Sequence, residues 1–221
     1  MKYDPQIRHR PFDSTQGRRS IRLKGYDYTQ AGAYFITICS HQREHIFGEV
    51  VDGEMKLNKF GLVAKQQWEK LPKRFPNIEL GAFVIMPNHE HGVIQIVERR
   101  GTAGKLNNHD DESSRRAPTE KFQKPVHGSI PTIVRSYKSA VAYRINLMRG
   151  ANGVPVWQRN YYEHIVRNER ELELITKYID YNPFNWQLDR DNANNILNLP
   201  TPETVDDYLK DAEEMMGVKT L

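Results

Sequence analysis

The feature that most restricts how this chain can fold is a pair of apolar runs divided by a short break. Phe83-Val84-Ile85 leads into Met86-Pro87-Asn88-His89-Glu90-His91, and Val93-Ile94 and Ile96-Val97 follow. Short runs of β-branched and aromatic residues read as buried strands. Pro87-Asn88 interrupts them, so two strands are expected, over 78–86 and 89–97. Side chains alternate along a strand, so His89 and His91 share one face and Glu90 takes the other. Two imidazoles on one strand face make half of a metal site; alone, such a triplet is a weak signal.

The other elements can be read around this pair. Tyr34-Phe35-Ile36-Thr37-Ile38-Cys39 is a strand, and Asp52-Gly53 between 46–51 and 55–57 is a hairpin turn. Asn58 caps a helix with Leu62, Gln66, Trp68 and Leu71 near helical spacing, ended by Pro72. Ile130, Ile133, Val134, Tyr137, Val141, Ile145 and Met148 mark an amphipathic helix between Pro131 and Gly150. A strand within 154–166 precedes the last strong helix, which Asn168 caps, with Glu171 completing a capping box. Leu172, Ile175 and Ile179 are its buried stripe, and Pro183 stops it. This order predicts an α+β domain, a ferredoxin-like (RRM-like), mainly antiparallel sheet with helices on one face and the last helix near the open face. Residues 26–187 form that domain, 1–25 a basic arm, 99–127 a polar mobile loop and 188–221 a tail with a short acidic helical stretch.

Composition excludes some classes. No stretch of the 221 residues approaches the ~18 apolar residues of a membrane span. The start, Met-Lys-Tyr-Asp-Pro-Gln, carries no hydrophobic signal region, and the single Cys39 forms no disulfide framework, so the cytoplasm is expected. Charge is uneven: residues 1–28 carry seven Lys/Arg against three Asp/Glu, 129–170 seven against two, and 200–221 two against six. A basic body with an acidic tail suits a polyanionic partner. Arg18, Arg19, Arg22 and Lys24 in the arm and Arg135 and Lys138 outside the stripe of their helix could meet phosphates; ordinary solvated charge is the plainer alternative. Trp157, Tyr161 and Tyr162 beside Arg159 could stack unpaired bases, although aromatics in such a run more often belong to the core.

Tyr178 and Asn182 stand four apart on the last helix, hence on one face and one turn apart. With His89 and His91 they make a kit of imidazole nitrogens, an amide oxygen and a phenol. Such donors can hold Mg2+ or Mn2+ beside a phosphate, and the phenol oxygen can attack phosphorus. A free phenol has a pKa near ~10, so it must lose its proton as it attacks.

Several motifs carry a resemblance. Phe83-Val-Ile-Met-Pro-Asn-His-Glu-His-Gly-Val-Ile is similar to the His-hydrophobic-His strand of the HUH endonuclease superfamily. Val156-Trp-Gln-Arg-Asn-Tyr-Tyr-Glu-His, followed by Tyr178-Ile-Asp-Tyr-Asn-Pro183, resembles the C-terminal half of single-tyrosine transposases. The nearest likeness is to the REP-associated tyrosine transposase branch, which Arg18-Arg-Ser-Ile-Arg-Leu-Lys-Gly-Tyr-Asp-Tyr and Gly128-Ser-Ile-Pro-Thr-Ile-Val-Arg-Ser-Tyr-Lys-Ser-Ala also resemble. The resemblance implies metal-dependent cleavage and rejoining of single-stranded DNA beside hairpins, through a covalent 5′-phosphotyrosine. It implies Tyr178 as nucleophile, His89 and His91 as metal ligands and Asn182 as a third ligand. Glu90 departs from the pattern, since that position is usually hydrophobic, and the packing beneath the histidines is expected to be weakened there. Tyr181 is the rival nucleophile, set roughly 100° around the helix from Asn182. His164 could contact DNA or assist proton transfer, a structural hydrogen bond being the plainer role. A single-stranded nucleic-acid binding module, or a phosphodiesterase using water, would fit much of the same sequence. The expected partner is single-stranded or hairpin DNA and not a membrane, with a homodimer as one option.

Overall fold

The computed structural model describes residues 26–98, 126–189 and 191–192. The basic arm with Arg18, Arg19, Arg22 and Lys24, most of the polar loop and the acidic tail stretch lie outside the described residues. The elements, in chain order, are strand β1 (Gly32–Cys39), hairpin strands β2 (Gly48–Val51) and β3 (Glu54–Leu57), and helices α1 (Lys59–Glu69) and α2 (Leu71–Arg74). Strands β4 (Ile78–Ile85) and β5 (His89–Ile96), helix α3 (Ile130–Arg149), strand β6 (Tyr162–Ile165) and helix α4 (Glu169–Tyr181) complete them.

The main sheet has the order β4-β5-β1-β6, with every neighbouring pair antiparallel. This is the ferredoxin-like order expected from the sequence. Asp52 and Gly53 both hold positive φ (52° and 76°), the mirror-image turn that matches the twist of the β2–β3 hairpin.

Tyr34, Ile36 and Ile38 of β1 pack with Ile94 and Ile96 of β5 under α1 and α3. Phe35 and Val93 face the other way and pack with Ile175, Tyr178 and Ile179 of α4. Both sheet faces are therefore covered, and Tyr34, Phe35, Ile36, Thr37 and Ile38 are all buried. Trp68 stacks on Phe83 at 4.4 Å and meets Tyr137 edge-on at 5.4 Å. Gly92 lies beneath that indole: a Cβ there would come within 2.4 Å of Trp68 Cζ2, so only glycine fits without a shift.

The register of β4 on β5 shifts between Leu80 and Phe83. Ile78 and Leu80 face α1 and α3, and after the bulge so do Phe83 and Ile85, while Ala82 and Val84 face α4. An extra residue changes which parity of the strand points inward.

Several helix details differ from expectation. In α1 the stripe is Gly61, Ala64, Gln67 and Trp68, and Leu62 is half exposed. Pro72 does not end that helix but starts the short α2 in its first turn. In α3 the stripe is as expected except that Met148 is exposed. The cap of α4 is as expected, with Asn168 Oδ1 accepting from Glu171 N at 2.9 Å. The return half of the box is displaced by one residue: Glu171 Oε2 accepts from Arg167 N at 2.6 Å. None of the helices among the described residues is long and apolar enough to cross a membrane.

Candidate functional site

The pairing of β1 with β5 sets Thr37 opposite His91 and Cys39 opposite His89, on the face that α4 covers. Both imidazoles are fully buried, with ring centroids 4.5 Å apart. Each Nδ1 meets a protein oxygen: Thr37 Oγ1 lies 2.8 Å from that of His91, and Asn88 Oδ1 lies 2.7 Å from that of His89. Asn88 Nδ2 donates to the Asp191 carbonyl at 2.9 Å, which fixes the amide so that Oδ1 faces the ring. An amide oxygen only accepts, so His89 carries its proton on Nδ1 and presents a lone pair on Nε2. That Nε2 is buried with no hydrogen-bond partner among the described residues.

The helix α4 brings the phenol from the opposite side. Tyr178 packs edge-on against Phe35, and its Oη lies 3.4 Å from His91 Nε2. Asn182 follows one turn later, fully buried, and neither of its side-chain polar atoms has a partner among the described residues. A buried amide with nothing to bond is costly, and a cation would relieve the oxygen. Tyr181, in contrast, is 54% exposed.

A turn after α4 closes the site. Trp186 packs 6.1 Å from the His89 ring and 5.6 Å from that of His45. Asp189, Asp191 and Asn192 are buried. One ligand atom each from His89, His91 and Asp191 lie within 4.8 Å of one another, and Asp189 Oδ2 is 3.6 Å from His89 Nε2. Arg43 pairs with the Asp191 carboxylate and donates to its carbonyl at 3.2 Å. Gln42 and Arg43 both hold left-handed backbone (φ 53° and 57°), strain that this turn carries beside the site.

Electrostatics agree with a ligand role for these groups. Burial pushes His89 down to about 4 and His91 well below its ordinary value, so both rings are neutral near pH 7. Burial works to raise the Asp191 carboxyl, but His89 and the Arg43 guanidinium overcome it and hold it below the usual carboxylate range. Two neutral imidazoles and a carboxylate form a donor set that fits a divalent cation accepting both nitrogen and oxygen.

The structure thus draws His89, His91 and Tyr178 together. The carboxylates were not among the expected ligands. The only signal for them was Asp189-x-Asp191 in a polar stretch, and nothing local tied that pair to strands a hundred residues earlier. Glu90 points to the opposite face, where it is buried with Oε2 2.5 Å from Tyr137 Oη. Its Oε1 is buried there with no hydrogen-bond partner among the described residues.

Other expected contacts are placed differently. Trp157 is 8% exposed, packs on Phe47 and Tyr137, and donates its indole N–H to Lys138 O at 3.2 Å. A base could stack on it only by opening the core. Tyr161 packs against the same core and its hydroxyl donates to Glu163 at 2.5 Å. Lys138 folds over its own chain, donating to the carbonyls of Gln158 at 2.7 Å and Asn160 at 3.0 Å. His164 makes the structural contact, 2.9 Å from Glu171 Oε1. Arg135 and Arg159 are exposed.

No family model matches the chain. An uncharacterized protein of Haemophilus influenzae is 41% identical over 189 residues, covering 86% of this chain and 96% of its own length. A second protein of that organism, named "Putative REP-associated tyrosine transposase", is 28% identical over 158 residues, 71% of this chain and 73% of its own. Among solved structures, a REP-associated tyrosine transposase bound to a REP hairpin is 18% identical with a TM-score of 0.42, covering 76% of this chain and 73% of that one. A "putative transposase" of Deinococcus radiodurans is 17% identical with a TM-score of 0.37, covering 72% and 96%. The chain is an α+β protein of one family with the 41% identical Haemophilus influenzae protein. That family resembles the REP-associated tyrosine transposases, as the sequence motifs already indicated.

Proposed function

We propose that this chain is a transposase that cleaves and rejoins single-stranded DNA beside hairpins, in the cytoplasm, with Tyr178 as nucleophile. The observation that carries the reading is Tyr178 Oη at 3.4 Å from His91 Nε2, within the cluster that His89 and Asp191 complete. His89, His91 and Asp191 would hold a Mg2+ or Mn2+ ion, with the Asn182 amide as a further donor. A bound divalent cation would draw charge from the scissile phosphate and favour the phenolate.

The residues then divide the work. Tyr178 Oη forms a bond to phosphorus while the bond from phosphorus to the 3′-oxygen breaks. The phenol proton leaves, and the departing 3′-oxygen takes one up as a hydroxyl. The reverse attack by a 3′-hydroxyl restores the phosphodiester, with the phosphotyrosine supplying the bond energy. Phe35 packs against Tyr178 and His91 and fixes their rings before substrate arrives. Because Tyr178 is 3% exposed, a strand reaches its hydroxyl only when the groups that cover it move.

The test is incubation with hairpin-bearing single-stranded DNA and Mn2+, followed by a denaturing gel. A protein–DNA adduct is expected, lost with chelator and lost in Tyr178→Phe, but kept in Tyr181→Phe. Cleavage by Tyr178→Phe without an adduct would instead favour a water-using phosphodiesterase. DNA binding without cleavage under any condition would favour a binding module.

A further inference from the structure

The aromatics that the sequence offered for stacking, Trp157 and Tyr161, are taken up by the core. The end of α4 does the opposite. Tyr181 and Phe184 are 54% and 76% exposed, on either side of the buried Asn182. Phe184 is not loose, because a Cβ built on Gly53 would lie 3.1 Å from its Cδ2, so one edge rests on the β2–β3 turn while the rest of the ring faces solvent. Trp186, partly exposed, carries the aromatic surface inward, between the exposed His45 and the buried His89. Exposed aromatic rings therefore lie on the same short segment as Trp186, which borders the candidate cation cluster.

We propose that Tyr181 and Phe184 form the platform on which unpaired DNA bases flanking the attacked phosphate stack. The inference rests on the reading of Tyr178 as nucleophile. A phosphodiester seated at Tyr178 Oη brings its two neighbouring nucleosides to the surroundings of that residue. Tyr181 follows it on α4 by three positions, one further turn along the helix. Every base has a π face, so exposed aromatics beside a phosphate site favour single strands without demanding a sequence. Duplex DNA keeps its bases stacked on each other and gains nothing from such a platform.

The test is fluorescence anisotropy of a fluorescein-labelled, mixed-sequence single-stranded oligodeoxynucleotide in chelator, where cleavage does not occur. Phe184→Ala and Tyr181→Ala are each expected to weaken binding about five-fold or more. Duplex of the same sequence should be bound alike by all forms, and Tyr143→Ala, an exposed tyrosine on α3, should bind like the wild type. Wild-type affinity in the Tyr181→Ala/Phe184→Ala double variant overturns the platform. So does a change of sedimenting mass in Phe184→Ala with DNA affinity unchanged, which would make the patch a contact between copies of the chain. If the variants lose single-strand affinity but the wild type never forms an adduct, the platform stands and the strand-transferase reading falls. If the adduct forms and the double variant keeps full affinity, the reverse holds.

Discussion

His91 and Glu90 are neighbours on β5, both buried, on opposite faces of one strand. On the α4 side the polar groups are rich in lone pairs: two neutral imidazoles, Asp191 and Asn182, with Nε2 of His89 and the amide of Asn182 lacking partners among the described residues. On the α3 side the polar group is an acid held through one oxygen, its Oε1 being without a hydrogen-bond partner among the described residues. Glu90 meets Tyr137 Oη, which also bonds the Ala64 carbonyl at 3.3 Å, and burial pushes the Glu90 carboxyl up to about 8, so it stays neutral at pH 7. Shared burial has opposite results because it favours the neutral form, which bares a lone pair on an imidazole and keeps a proton on a carboxyl. A face with surplus lone pairs is prepared for a cation, and a face whose acid keeps its proton needs none.

The two faces should also respond to pH in opposite directions. His89 is depressed from 6.5 to about 4, so the stability it contributes is present above pH 6.5 and lost as pH falls toward 4. Glu90 is raised from 4.5 to about 8, so its contribution is present below pH 4.5 and lost as pH rises through 8. Urea unfolding in chelator between pH 6.5 and 8, compared between the wild type and Glu90→Gln, isolates Glu90, because the histidines contribute alike to both. The stability of the wild type relative to Glu90→Gln should decline across that window, with a limiting slope of about 1.4 kcal/mol per pH unit. Lys138, pushed down by burial to about 8, titrates mainly above it. An unchanged slope in Glu90→Gln would mean that this carboxyl is ionised in the fold.

A second way to break the comparison is to remove one lone pair from the α4 side. His91→Ala should weaken Mn2+ affinity about 100-fold or more in calorimetry. It should also abolish the rise in thermal midpoint that Mn2+ gives the wild type, since a ligand at 100 times its Kd stabilises by about 2.7 kcal/mol. Glu90→Gln should leave Mn2+ affinity within a few-fold. Equal losses in both variants would merge the two faces into one site. The smallest effect is expected from Tyr137→Phe, which strips the hydroxyl from Glu90 and Ala64 and should cost ~1–2 kcal/mol without altering metal binding.

Much of this was legible in the chain because it rests on short spacings. The alternation of 89, 90 and 91, the four-residue step from Tyr178 to Asn182 and the Asn168 cap are fixed within single elements. The α+β, mainly antiparallel class followed from the succession of strands and helices. What could not be read depends on contacts between distant segments. Asn88 meets the Asp191 carbonyl across 103 residues, and Arg43 meets the same residue across 148. No periodicity links them, so the third ligand was sought only in Asn182. Trp157 misled for a related reason: an aromatic beside Arg159 has the same local appearance whether it faces Phe47 or water.

The bulge in β4 has a consequence for chain length. Because the register changes between Leu80 and Phe83, residues on its two sides obey opposite parity. Losing one residue there would leave a regular strand in which either Ile78 and Leu80 or Phe83 and Ile85 turn away from α1 and α3. Val84, opposite His91, belongs to the second half of the strand, so a shift taken up there would move it off the face that α4 covers. Point substitutions around Gly81 should therefore be far better accepted than single-residue deletions, and the interval between Leu80 and Phe83 should tolerate no change in its count.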